Sequence, residues 1–157
     1  MKASFAALAL SLVGATFAAP AAQSIKRQGN RHYNIGTISL RHLIEENAYV
    51  FISHVTNYNE DGSPHIGTTC QTRWNPSAPA GPENPQACAF SEFTFWFPSG
   101  VSDLENYEVA VAGPEGQGTV EIVAGPRYEC GPYDGTIANI DYECHTTESS
   151  GFTIPLS

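Results

Sequence analysis

Four cysteines, Cys70, Cys88, Cys130 and Cys144, restrict this chain more than any other feature of its sequence. Their number is even, and no two stand in the tight pairs, such as two Cys separated by two residues, that a zinc site needs. Four cysteines allow three pairings. The spacing favours Cys70 with Cys88 and Cys130 with Cys144, because each pair is close in sequence and brackets a stretch rich in Gly, Pro or turn residues. In the chain-entropy account each closed loop restricts the unfolded state by about 3 kcal/mol, which matters for a domain too small to bury a large core. No cysteine is left for a bridge between chains, so a monomer or a non-covalent dimer is expected.

The N-terminus predicts where such bonds form. Met1-Lys2 is followed by an apolar stretch from Ala3 to Val13 and by small residues through Ala19, the three-part pattern of a secretory signal peptide over residues 1–19. Residues 20–27 read as a pro-segment ending in the dibasic pair Lys26-Arg27, which leaves 28–157 as one secreted domain. Export and paired cysteines agree, since disulfides persist in oxidising, extracellular surroundings.

Maturation also changes the charge. Removing Lys2, Lys26 and Arg27 leaves Arg31, Arg41, Arg73 and Arg127 against sixteen acids, a net charge of −12 without a single lysine. Affinity for nucleic acid comes largely from Lys and Arg replacing condensed counterions. Nucleic acids and anionic membranes are therefore excluded as natural partners, and a basic partner protein fits better.

The dominant hydrophobic period is two. Phe93, Phe95 and Phe97 alternate with Thr94 and Trp96 in the segment Phe90–Phe97, as in a strand with one buried face. Strands are also predicted over 33–40, 49–55, 107–112, 119–124, 136–142 and 152–156. Gly113-Pro-Glu-Gly-Gln-Gly118 predicts a hairpin that pairs Val109 with Ile122 and Val111 with Val120. Its core face would carry Tyr107, Val109, Val111, Val120 and Ile122, and its other face Glu108, Ala110, Glu121 and Val123. A two-residue turn at Asp134-Gly135 would oppose Cys130 to Asn139, so the second disulfide is not expected to be a simple cross-strand rung. Only Leu40–Asn47 could turn helical. The fold class that follows is all-β, a single antiparallel barrel or sandwich with two intrachain disulfides.

Prolines 76, 79, 82 and 85 recur every third residue, the polyproline II repeat. An ordinary proline-stiffened surface loop accounts for them better than a recognition loop. Catalytic signatures are absent: there is no Gly-x-Ser-x-Gly elbow and no phosphate loop. Asn57-Tyr-Asn-Glu-Asp-Gly62 resembles the start of a calcium loop, but its twelfth position is Thr68 rather than Glu, so a polar turn is the better account. The five histidines show no metal-ligand spacing, and His54 reads as a packed or hydrogen-bonded strand residue. Glu108 and Glu121, diagonal neighbours in the predicted hairpin, are the one carboxylate pair that a glycan hydrolase could use. No catalytic residue, metal ligand or cofactor is assigned from the sequence.

The cysteine frame and strand order resemble the Alternaria major-allergen-like family of small secreted fungal proteins. The likeness runs from about Tyr33 to Leu156. It rests on Cys70 and Cys88 around a variable loop, the aromatic strand Phe90–Phe97, a long hairpin ending near Tyr128-Glu-Cys130, and Tyr142-Glu-Cys144 before a terminal Ile154-Pro-Leu. The resemblance implies a β-barrel with those two disulfides and a non-enzymatic role in triggering or modulating plant immunity. It also implies binding to host pathogenesis-related proteins, allergenicity, and carriage of a small phenolic ligand. The family's type member has an extra N-terminal cysteine that links two barrels covalently; no cysteine precedes Cys70 here, so covalent dimerisation is not carried over. A secreted effector or elicitor-like binding protein is the leading expectation. A glycan hydrolase using a carboxylate pair is the alternative, and a wall-associated structural protein a third.

Overall fold

In β1 (His32–Leu43) the residues Tyr33, Ile35, Ile38 and Leu40 are buried, and the alternation slips once, at a bulge between Ile35 and Thr37. A bulge inserts one residue and re-aims everything beyond it, which is how apolar residues at odd and then even positions share one face. β1 pairs along its whole length with β2 (Ala48–Tyr58), which pairs in turn with β3 (Pro64–Trp74). The computed structural model describes residues 31–59, 61–76, 81–147 and 151–157. The predicted signal peptide, the pro-segment and Pro79 lie outside the described residues.

The remaining strands are β4 (Gln86–Ala87), β5 (Thr94–Trp96), β6 (Asn106–Gly113), β7 (Gly116–Val123), β8 (Tyr128–Pro132), β9 (Ile140–Thr146) and β10 (Phe152–Pro155). One sheet runs β3-β2-β1-β9-β8, and β10 also pairs with β1, beside His32–Ile35, while β9 takes Ser39–Leu43. The second sheet runs β4-β5-β6-β7. All pairings are antiparallel, and no helix occurs among the described residues. The fold is therefore all-β and sandwich-like; the closed barrel expected as one alternative does not form, because the two sheets share no continuous ladder.

The sheets meet over aromatic rings. Phe51 of the first sheet lies 5.8 Å from Phe95, 5.1 Å from Phe97 and 6.4 Å from Tyr107, the last two edge-on. Phe93, Phe95 and Phe97 are each fully buried, as their alternation predicts, although only Thr94–Trp96 joins a ladder. Fully burying one such side chain contributes about 1.5–3 kcal/mol. The two sheets are fastened to each other at two places. The Cys70–Cys88 disulfide ties β3 to the end of β4. At the β6–β7 turn, the fully buried Tyr33 of β1 reaches across the sheets: its hydroxyl accepts from the Glu115 amide at 3.1 Å and donates to the Gly116 carbonyl at 3.3 Å.

Three local expectations are corrected. Leu40–Asn47 does not turn helical; β1 continues to Leu43, and Asn47, at φ 44°, closes the turn into β2. The β6–β7 hairpin turns tightly at Pro114-Glu115, so Val109 faces Val120 and Tyr107 faces Ile122. That is a register shift of two, and a shift by the strand period leaves the same residues on the core face. Ala110, on the face expected to meet solvent or a neighbour, is fully buried between its ladder partners Trp96 and Thr119. Finally, Cys130 lies directly opposite Cys144, with 4.0 Å between their Cα atoms, so the second disulfide is a cross-strand rung. The connection is a seven-residue loop, 133–139, not a two-residue turn at Asp134-Gly135.

Candidate functional site

An open cleft of about 620 Å³ lies where β1, β2 and β9 of the first sheet meet the connection between β5 and β6. The first sheet contributes His42, Tyr49, Asp141 and Tyr142; the connection contributes Ser102, Asp103, Leu104 and Glu105. The antiparallel register brings these segments together, since His42 is the ladder partner of both Tyr49 and Tyr142.

The side chains are held by one another. His42 Nδ1 lies 2.6 Å from Asp141 Oδ1, and its ring centroid is 5.1 Å from that of Tyr49. Tyr49 leans in turn on Trp74 at 5.6 Å. The Tyr142 hydroxyl donates to Glu105 Oε1 at 2.9 Å, and Asp103 Oδ1 accepts from the Glu105 amide at 2.9 Å. Burial raises the Tyr142 phenol above its ordinary value, and the Glu105 and Asp103 carboxylates add to the rise because a phenolate beside them would be repelled.

Behind the cleft the connection is anchored to the core. The Leu104 carbonyl accepts from the Tyr128 hydroxyl at 3.3 Å, and Tyr128 accepts from Tyr107 at 3.0 Å. The same carbonyl lies 3.8 and 3.7 Å from the sulfurs of Cys130 and Cys144. Both tyrosines are buried, and desolvation raises their phenols. The second disulfide thus backs the cleft through the strand that carries Asp141 and Tyr142.

Ser102, His42 and Asp141 are the residue types of an acyl-transfer triad, but Ser102 makes no hydrogen bond to His42 and the Asp141 side chain is 51% exposed. A triad needs its serine bonded to the base and its aspartate shielded, so the arrangement is an imidazole–carboxylate pair without a nucleophile in place. Among the described residues no three His, Cys, Asp or Glu side chains are grouped to hold a metal ion.

The residues singled out from the sequence fall elsewhere. Glu108 and Glu121 are direct partners across the β6–β7 ladder, not diagonal neighbours, and both are exposed on the outer face of the second sheet. Asn57 is buried in β2, facing the interior, while Asp61 Oδ1 accepts from the amide and hydroxyl of Ser63; the segment is a hairpin turn. The His54 ring lies over Gly67 on the outer face of the first sheet. In the proline loop, the Pro82 carbonyl accepts from the Phe97 amide at 3.0 Å, which fastens that end of the loop to the second sheet. No spacing in the sequence foretold the cleft, because its residues come from three distant segments. The nearest signal was Tyr142, two residues before Cys144.

Comparisons with protein-family models, with curated proteins and with solved structures return no match for this chain. Two disulfides in a small all-β domain are consistent with an extracellular setting.

Proposed function

We propose that the chain is a secreted effector or elicitor-like binding protein that acts on extracellular host plant proteins through its surface, without catalysis. The observation that carries this reading is the cleft itself: aromatic and acidic groups preset by mutual hydrogen bonds on a disulfide-backed scaffold, with no nucleophile engaged by its base. Preset groups lower the ordering cost of association. The signal-peptide pattern and the resemblance to the Alternaria major-allergen-like family supply the setting, a secreted fungal protein at the boundary with a plant. Modulation of immunity, allergenicity and a phenolic ligand belong to the same proposal and rest on the resemblance alone.

The test is to immobilise the mature, oxidised protein, pass plant apoplastic fluid over it, and in parallel infiltrate it into leaves. Retention of a defined host protein together with a defence-gene response is expected. The absence of both retention and response would refute the proposal. Turnover of a polysaccharide, abolished by Glu121→Gln, would replace it with the hydrolase reading.

A further inference from the structure

The cleft also carries information about what it takes. We propose that it receives a basic side chain, lysine or arginine, presented by the partner protein; this rests on the binding reading above and deepens it. Its aromatic surfaces are Tyr49, backed by Trp74, and Tyr142. Such faces accept the methylene stem of a long cationic side chain and attract its charged head. Asp103, Glu105 and Asp141 line the same space, and no Lys or Arg does. The one lining group that can become cationic, His42, is already engaged by Asp141 at 2.6 Å.

Three further observations bear on the class of ligand. Among the described residues no three His, Cys, Asp or Glu side chains are grouped as a metal cage would require, so an organic cation fits the cleft better than a bare ion. Glu105 and Asp103 are fixed by the Tyr142 hydroxyl and the Glu105 amide, which leaves each carboxylate with acceptor capacity to spare. Elsewhere the chain places its own arginines beside acids, Arg31 with Glu115 and Arg41 with Glu143, whereas the cleft acids have no such partner lining the space with them. A protein of strongly negative net charge also steers basic partners toward itself.

The probes are acetylated, amidated Gly-Lys-Gly and Gly-Arg-Gly, with the Nε-acetyl-lysine form as neutral control, followed by NMR on the isotope-labelled, oxidised protein. Expected is a saturable shift confined to Tyr49, Tyr142 and the 102–105 backbone, absent with the acetylated probe. The double variant Asp103→Asn/Glu105→Gln should bind about tenfold more weakly or worse. Glu108→Gln/Glu121→Gln, the same change in net charge on the outer face of the second sheet, should bind as the parent does. A native amide spectrum of each variant separates lost binding from lost folding, and Tyr49→Leu, which keeps the charge, should weaken binding as well. Equal shifts with the acetylated probe, shifts scattered over the surface, or equal losses in both double variants would overturn the assignment. So would saturation of the cleft by a neutral oligosaccharide in place of the cationic peptides. Host-protein retention that survives Asp103→Asn/Glu105→Gln would remove the cleft while leaving the binding reading intact; peptide binding without any retained host protein would do the reverse.

Discussion

Replacing Tyr128 by Phe isolates the hydrogen-bond relay that fixes the cleft connection to the core. The Tyr128 hydroxyl accepts from Tyr107 and donates to the Leu104 carbonyl, so its removal strands a donor and an acceptor at once. The Tyr107 ring is only 4% exposed, which denies its hydroxyl a ready substitute in water. Leaving a buried polar group unpaired costs about 1–3 kcal/mol, so two such groups put Tyr128→Phe near 3 kcal/mol of lost stability. Tyr107→Phe is milder, about 1 kcal/mol, because Tyr128 keeps its bond to Leu104. The double variant decides the matter. With both hydroxyls gone, Tyr107 no longer carries a stranded donor, and the pair of substitutions should cost about 1 kcal/mol less than Tyr128→Phe alone. Urea unfolding under oxidising conditions measures all three, and unchanged slopes keep the comparison on stability. Additive losses, or Tyr107→Phe costing as much as Tyr128→Phe, would refute the relay.

The same tyrosines predict an alkaline limit. Tyr107 and Tyr128 hold their protons in the folded state to higher pH than in the unfolded chain. Above the unfolded value near pH 10 the unfolded state therefore binds fewer protons, and stability falls as pH rises, by about 1.4 kcal/mol per unit for each retained proton. Unfolding midpoints measured from pH 8 to 11.5 should drop above about pH 10, and less steeply in the double Phe variant. Glu121→Lys turns the like-charged rung opposite Glu108 into an opposite-charged one and should raise stability by about 0.5 kcal/mol at low salt, the gain fading as salt is added. Gly118→Ala should lower the thermal midpoint, since a Cβ there would sit 2.1 Å from the Pro155 carbonyl oxygen, where β7 meets the end of β10; an unchanged midpoint would mean that this approach is loose. Breaking the rung with Cys130→Ala/Cys144→Ala should cost about 2–5 kcal/mol and weaken peptide binding at the cleft more than Cys70→Ala/Cys88→Ala does.

Period-two patterning was legible wherever one face is apolar. The Phe93, Phe95, Phe97 row and the Tyr107, Val109, Val111 row are buried as their alternation requires. β3 escaped notice because it is an edge strand whose inward row, Ile66, Thr68, Cys70, Thr72 and Trp74, is broken by two threonines, so its apolar positions do not recur every second residue. β8 is five residues ending in Gly131-Pro132, a composition that reads as a turn. The Asp134-Gly135 dipeptide pointed to a tight turn, yet the loop is longer, so a local signal misplaced the partner of Cys130 while sequence proximity identified it.

Residue order and type alone determined the all-β class, the pairing of the four cysteines and the inward face of the main hairpin, because alternation and loop closure act between neighbours along the chain. Only the tertiary structure decided that the strands form two sheets instead of one closed wall, and only it brought His42, Asp103 and Tyr142 to one cleft. Those outcomes depend on register and on how one sheet lies across another, and such long-range geometry leaves no periodic trace in the sequence.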